Sequence, residues 1–287
     1  MNRPNIKEIT PKKVTSFING NWIDPNENAK KIPIIHPADE QTVSVLYEAD
    51  VNEVKKAAET AKKTFESGTW SKASVEDRKT VLLSIKDLIL ENKEEIAELE
   101  VTNTGAPIAQ AYGRQIPRSA MNFEFFAEFI SQASSPVFDQ NPDYITYVRR
   151  EPVGVAGLIA PWNAPMALAT MKVAGAIAFG NSCILKPSEL TPLGFVPFMN
   201  LLKKAGLPDG VVNMVNGRGN ITGAAMTQEE NIDVIAFTGG TETGRSIGSE
   251  SGRTLKKILT ELGGKSANII FSDADFERAL DASMAVS

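Results

Sequence analysis

Cysteine and histidine are almost absent from this chain, which holds one Cys (Cys183) and one His (His36). A disulfide framework needs cysteines in pairs, so none is expected. A structural zinc site needs about four Cys or His ligands, so no metal centre is expected either. A Ser-His-Asp triad would have to use His36, which sits in a Pro-flanked stretch, and that chemistry is set aside. Basic charge is not in excess: 30 Lys+Arg against 35 Asp+Glu leave a net charge of −5. Nothing therefore marks a surface that neutralises phosphates, and nucleic acid is not an expected partner. Long apolar runs are missing too. The most apolar stretch, Ala164 to Gly180, carries Lys172 and falls short of the roughly 18 uncharged residues a membrane span needs. It reads as a buried Ala/Gly-rich helix. Met1 to Lys13 is polar, without the apolar centre of a secretory signal. A cytoplasmic protein with no membrane partner is the expectation.

What is present is ordinary for a soluble globular protein, with 42% hydrophobic and 23% charged residues in a chain of 287. That length suggests about two domains. The first half reads as helical after an extended start. Phe17 to Ile23 is a hairpin around Asn19-Gly20. Val51 to Ser67 has helical apolar spacing behind an Asp50 cap. Val75 to Glu91 places Val81, Leu82, Ile85, Leu88 and Ile89 on one face, and Asn92 to Val101 is a further short helix. Ile108 to Ser134 reads as one long helix rich in Phe. These faces are core faces.

The second half changes period. β-type runs at Gly154–Ile159, Ser182–Leu185, Val211–Val215, Val234–Phe237 and Leu255–Thr260 alternate with helices near Met166–Ala178, Gly194–Lys204, Ile221–Gln228 and Glu242–Ser249. That alternation predicts an α/β fold, a parallel five-stranded sheet with helices on both faces. Ligands of such sheets bind beyond the carboxyl ends of the strands, so the loops there are the place to look for chemistry.

The loop Ala160-Pro-Trp-Asn-Ala-Pro165 offers the Asn163 amide just before a helix, where a fixed donor can stabilise a developing oxyanion. The same placement also suits a plain helix cap. Lys186-Pro-Ser-Glu189 follows the second strand. A lysine and a carboxylate there can bind ribose hydroxyls, and Glu189 would repel a 2′-phosphate, favouring NAD over NADP. A solvated turn that caps the next helix is the alternative. Two glycine loops, Gly217 to Gly223 and Gly239 to Gly244, compete for a pyrophosphate, and neither has the usual spacing or a P-loop ending. Glu261, followed by Leu-Gly-Gly-Lys265, is a candidate general base or the partner of a surface ion pair with Lys265.

In this order the segments resemble the aldehyde dehydrogenase superfamily. The matches include Phe17-Ile-Asn-Gly-Asn-Trp22, Arg150-Glu-Pro-Val-Gly154, Ala160-Pro-Trp-Asn163, Leu185-Lys-Pro-Ser-Glu189, Gly206 to Asn213, Phe237-Thr-Gly239, Thr241-Glu242, Gly244-Arg245, Glu261-Leu-Gly-Gly-Lys-Ser266 and Asp273-Ala-Asp275. The resemblance implies that Asn163 holds the thiohemiacetal oxyanion, that Glu261 activates the water that hydrolyses the thioester, and that Lys172 is the family lysine near the oxyanion residue. It implies NAD contacts from Ile159, Ala160, Pro161 and Trp162, and from Lys186, Ser188 and Glu189 at the adenine ribose. Gly219 and Gly223 would join them, with Phe237, Thr238, Gly239, Gly240, Thr241 and Gly244 at the pyrophosphate, and Leu262. It implies a small-molecule aldehyde as substrate and a homodimer or homotetramer held by an arm that includes Tyr144 to Arg150.

The expected division is 1–134 for a hairpin and helices of the cofactor-binding part, 135–152 for the arm, 153–260 for the Rossmann-like core and 261–287 for the start of a catalytic domain. The family has Ser where Gly240 stands, an aliphatic residue where Thr243 stands and often an aromatic where Met171 stands. Ala164, Leu168 and Met171 share a helix face, either as an aliphatic substrate funnel or as ordinary core. The family nucleophile, a Cys beyond the general base, does not occur before Ser287, and Cys183 reads as a buried, inert position in the second strand. The expectation is a cofactor-binding portion that lacks turnover alone, with a non-catalytic NAD binder or a remnant as the alternative.

Overall fold

The computed structural model describes residues 6–286. The first five residues of the polar N-terminal stretch, and Ser287 of the expected 261–287 segment, lie outside the described residues. A short helix α1 (Ile6–Ile9) and strand β1 (Lys13–Val14) lead into the hairpin β2 (Phe17–Ile18) and β3 (Asn21–Trp22). Its turn holds Asn19 at φ 52° and Gly20 at φ 74°, the left-handed pair that a two-residue hairpin with right-handed strand twist requires. Strand β4 (Lys31–Ile35) pairs antiparallel with β5 (Thr42–Tyr47), and β1 joins β5 in parallel. This small sheet was not expected from the sequence. Pro33 is tolerated because β4 is an edge strand.

Helix α2 (Val51–Ser67) starts where expected, with the Asp50 carboxylate accepting the Glu53 N–H at 2.9 Å. Helix α3 (Val75–Glu91) starts on a reciprocal Ser74–Asp77 capping box. Helix α4 (Lys93–Thr104) runs past Val101 and stops at Gly105 in the left-handed conformation. The long helix expected over 108–134 is broken into α5 (Ile108–Gln110), a π-helical turn (Ala111–Gln115) and α6 (Ile116–Gln132). Pro117 is the cause. It has no N–H for the carbonyl four residues back, and the ladder shifts so that Ile116 N–H bonds Ala111 O. A two-stranded ribbon, β6 (Val137–Asn141) with β7 (Tyr144–Tyr147), follows and stands out in solvent.

The remaining elements alternate: β8 (Val155–Ile159), α7 (Pro165–Ala178), β9 (Ser182–Lys186), α8 (Phe195–Lys204), β10 (Val212–Met214), a π-helical turn (Gly219–Gly223), α9 (Ala224–Gln228), β11 (Val234–Gly239), α10 (Thr241–Arg253), β12 (Lys257–Leu262) and α11 (Phe276–Val286). The main sheet runs β12-β11-β8-β9-β10-β2-β3. Its first five strands are the expected parallel set, and the hairpin extends it antiparallel at β10.

Alternate side chains of β8 point to opposite faces. Ala156 and Leu158 join Leu82, Phe123, Val173 and Phe198 from α3, α6, α7 and α8, while Val155 and Ile159 join Val54, Ala58 and Ile247 from α2 and α10. Each fully buried Leu or Phe contributes about 1.5–3 kcal/mol of transfer free energy. Helices on both faces therefore hold the strand ends rigidly. Strand β12 is the exception: it lies at the sheet edge and is exposed throughout. It begins two residues later than expected because Leu255 is in the left-handed region at φ 56°. It runs on to Leu262, which puts Glu261 inside the strand.

Candidate functional site

Strand register assembles the site. Ile159 at the end of β8 lies between Lys186 of β9 and Phe237 of β11. Thr238 and Gly239 lie beside Glu261 and Leu262 of β12. Ala160 N–H continues the ladder to Lys186 O at 3.0 Å. The carboxyl ends of β9, β8, β11 and β12 thus form one rim.

Asn163 is exposed in the loop above β8, next to Trp162, which is 59% exposed. The cap of α7 is Ala164, and no side chain hydrogen-bonds there, so Asn163 is not the helix cap. Further along α7, Lys172 Nζ donates to Thr238 Oγ1 at 2.5 Å. Burial lowers the Lys172 ammonium below its ordinary range, and the charge of Glu261 opposes that shift. Lys172, Thr238 and Glu261 therefore share one corner. Met171, Lys172, Phe237, Leu259 and Glu261 line a hollow of about 720 Å³ between α7 and the β11–β12 edge. Among the described residues no ion pair joins Glu261 to Lys265, so that alternative is not what is found.

Lys186 is not part of a solvated turn. Its side chain is 3% exposed, and Nζ lies 3.8 Å from Glu189 Oε2 and donates to Pro187 O at 3.0 Å. Burial lowers its ammonium, while Glu189 and Glu48 pull it back up. Ser188 Oγ accepts the Leu190 N–H at 3.3 Å. Helix α8 starts only at Phe195, so this segment does not cap it.

The two glycine loops differ. Gly223 sits over Lys186, where a Cβ would lie 3.7 Å from Lys186 Cδ, whereas Gly219 faces open space. Beneath that loop, Arg218 grips Glu48 with Nε to Oε1 at 2.9 Å and a second nitrogen to Oε2 at 2.7 Å. The guanidinium holds the Glu48 carboxyl below its usual range. The sequence gives no local signal for this pair, whose members lie 170 positions apart.

In the other loop, a Cβ on Gly239 would meet Phe237 Cζ at 2.4 Å, and one on Gly244 would meet Leu262 Cδ2 at 2.6 Å. Gly240 has nothing within 4 Å of that position and opens α10 with no side-chain cap. The first N–H groups of a 13-residue helix thus stand free at the rim. The acidic Glu242 in that turn is paired with Arg245. Uncapped amides at a helix N-terminus suit a phosphate anion, and the Glu189 carboxylate in the loop after β9, one strand beyond β8, suits ribose hydroxyls. The residues present fit a dinucleotide.

Cys183 is fully buried in β9, and burial pushes its thiol up, so it offers no thiolate. Among the described residues no cluster of three or more His, Cys, Asp or Glu could hold a metal ion, and no helix is long and apolar enough to cross a membrane.

Fold and rim together define an α/β protein whose parallel strands end in one open rim. The chain belongs to the aldehyde dehydrogenase family: the profile described as "Aldehyde dehydrogenase family" matches residues 22–287. Aldehyde dehydrogenase 1 of Tanacetum cinerariifolium is 40% identical over 266 residues, which cover 92% of this chain and 53% of that protein. Cytosolic aldehyde dehydrogenase 1 of Rattus norvegicus is 38% identical over 267 residues, again 92% of this chain and 53% of that one. The NAD+ complex of an aldehyde dehydrogenase from Bacillus cereus superposes with a TM-score of 0.93 at 36% identity, over 98% of this chain and 57% of that chain. The chain spans about half the length of the curated relatives it matches.

Proposed function

We propose that this chain is the cofactor-binding part of an aldehyde dehydrogenase that oxidises an aldehyde to a carboxylic acid with NAD as acceptor. The observation that carries the reading is the common rim. Asn163, Lys186, Thr238 and Glu261 stand at the ends of adjacent parallel strands or in the loop directly above them. In this reading Lys186 and Glu189 hold the adenine ribose, with Ser188 beside them. Gly239, Gly240, Thr241 and Gly244 seat the pyrophosphate at the start of α10. Ile159 to Trp162, Phe237, Thr238 and Leu262 border the nicotinamide half, and Gly219 and Gly223 flank the ribose loop. Bound there, NAD supplies the acceptor for a hydride from the substrate carbon.

The side chains of this chain do the rest. Asn163 donates its amide N–H to the substrate oxygen as that oxygen becomes anionic, a preorganised contact. Glu261 takes a proton from the water that attacks the acyl carbon of a thioester. Lys172 holds Thr238 and sets a positive charge near Glu261. The attacking sulfur is not Cys183, which is buried and protonated. That burial favours a second reading for the chain by itself, a non-catalytic NAD binder.

Glu189 favours NAD over NADP because its carboxylate would face the added 2′-phosphate. The substrate is a small-molecule aldehyde. A homodimer or homotetramer fits the exposed Val137, Tyr144, Ile145 and Tyr147 of the ribbon, and a cytoplasmic setting fits the one buried cysteine. Calorimetric titration of the folded chain tests the reading. One NAD should bind per chain, NADP more weakly, and Glu189→Gln should narrow the difference. A folded chain that binds neither nucleotide would refute it.

A further inference from the structure

Two buried polar side chains behind the rim have no part in the chemistry above. Glu100 and Asn103 lie one turn apart on α4 and are 2% and 7% exposed. Glu100 Oε1 accepts the Met166 N–H at 3.3 Å, in the first turn of α7, three residues after Asn163. Its Oε2 lies against Gly194, where a Cβ would stand 3.4 Å away. Asn103 Oδ1 accepts the Leu193 N–H at 2.8 Å, one residue before that glycine. One turn of α4 therefore grips both the segment after β8 and the segment after β9. The same two segments meet at the front through Ala160 N–H and Lys186 O.

We propose that Glu100 and Asn103 are positioning residues that lock the loop bearing Asn163 to the segment bearing Glu189, so that the oxyanion donor and the ribose carboxylate keep a fixed spacing. The spacing matters because a preorganised donor stabilises a transition state only when it is already in place. The functional meaning of the lock rests on the reading of Asn163 and Glu189 given above. The lock itself is a statement about backbone segments.

The carboxyl of Glu100 has no counter-ion. Met166 of α7, Gly194 ahead of α8 and Asn103 on α4 are uncharged, and only the Met166 N–H offsets its burial. Burial pushes its carboxyl up to about 8, so at neutral pH it stands as the carboxylic acid, the form that a buried site without a cation favours. Loss of that proton strands a charge between the two segments, and they must part to admit water. Glutamine has the same shape as the protonated acid and cannot ionise.

Hydrogen exchange on the whole chain, corrected for the intrinsic pH dependence of exchange, tests the lock. Wild type, Glu100→Gln, Glu100→Ala and Asn103→Ala are compared at pH 6.5 and 9.5. In wild type, protection at residues 160–166 and 193–195 should fall about tenfold or more at the higher pH. Glu100→Gln should hold its protection at both values. Glu100→Ala should lose it at both, and Asn103→Ala should lose it at Leu193, while strand amides of β8 and β9 stay protected. The lock is refuted if Glu100→Gln follows the wild-type pH loss, or if wild type shows none. If Glu100→Ala does not fold, the comparison of Glu100→Gln with wild type decides alone. Exchange needs no nucleotide. A chain that shows this pattern but binds no NAD keeps the lock and loses the functional reading, and a chain that binds NAD without the pattern does the reverse.

Discussion

Lys172 and Thr238 meet where α7 passes the end of β11, and their hydrogen bond fixes a lysine beside Glu261, the residue paired with Thr238 across the sheet. The helix that follows the Asn163 loop is thereby tied to the strand pair that carries the proposed base. The proposed donor and the proposed base are thereby tied to one packed unit, which is what chemistry between them requires.

This contact has a signature in stability. Thr238→Val leaves a partly buried lysine without its partner and should cost about 1–3 kcal/mol in urea unfolding. Adding Lys172→Met should remove most of that cost. The pH dependence follows from the same burial. Because the folded-state ammonium is lowered, the folded chain gives up this proton before the unfolded chain does. Stability from Lys172 therefore rises as pH climbs toward the ordinary lysine range, and Lys172→Met should flatten that rise.

The Glu48–Arg218 pair should behave in the opposite sense. Its carboxyl is held low, so its contribution is present above the ordinary carboxylate range and fades as pH falls through the folded-state value. Glu48→Gln should lower stability by about 1–3 kcal/mol at pH 7, with the gap to wild type closing in acid. Urea melts at a series of pH values from 7 into acid measure how the gap closes.

Glycines of α10 separate folding from binding. Gly248 lies in the helix interior, where an added Cβ makes only an ordinary contact, 3.9 Å from Ile258. Gly248→Ala should stabilise by about 0.5–1 kcal/mol, since alanine loses less backbone freedom on folding. Gly240 has room for a methyl in the folded chain, so Gly240→Ala should leave the melting temperature unchanged. Gly240→Asp should weaken NAD by about tenfold relative to Gly248→Ala, because its carboxylate would face the pyrophosphate. Equal NAD affinity in Gly240→Asp and Gly248→Ala would argue that the nucleotide sits elsewhere.

Cys183 should be inert. A thiol reagent should label it only as fast as the chain unfolds, and the purified chain should form no NADH from an aldehyde and NAD. Cys183→Ala should abolish the labelling and leave the absence of NADH unchanged. Turnover abolished by that substitution would contradict the assignment of Cys183 to the core.

Much of this was legible in the sequence, for local reasons. Helices α2 and α3 were set by one apolar face each, and α2 also by its Asp50 cap, whereas the Ser74 cap of α3 was not read from the sequence. Four parallel strands were set by apolar runs between helices, and the fifth, β12, was displaced by the left-handed Leu255. The rim residues followed from motif order and from the rule that such sheets bind ligands at their carboxyl ends. Strands β4 and β5 were missed because they form a small sheet whose edge strand contains a proline. Glu48–Arg218 and Glu100–Met166 were missed because their partners lie 170 and 66 positions apart, and only the folded chain brings them together. The loss of helical pattern at Ala111–Gln115 had a visible cause in Pro117, but periodicity alone does not weigh a missing donor.

The central claim is that the ends of β8, β9, β11 and β12 form a dinucleotide site, and a crystal structure of the chain with NAD tests it most directly. The expected result places the pyrophosphate over Gly240 and Thr241, the adenine ribose at Lys186 and Glu189, and the nicotinamide toward Asn163 and Glu261. A nucleotide bound away from that rim, or a rim left empty at saturating NAD in a folded chain, would contradict the account.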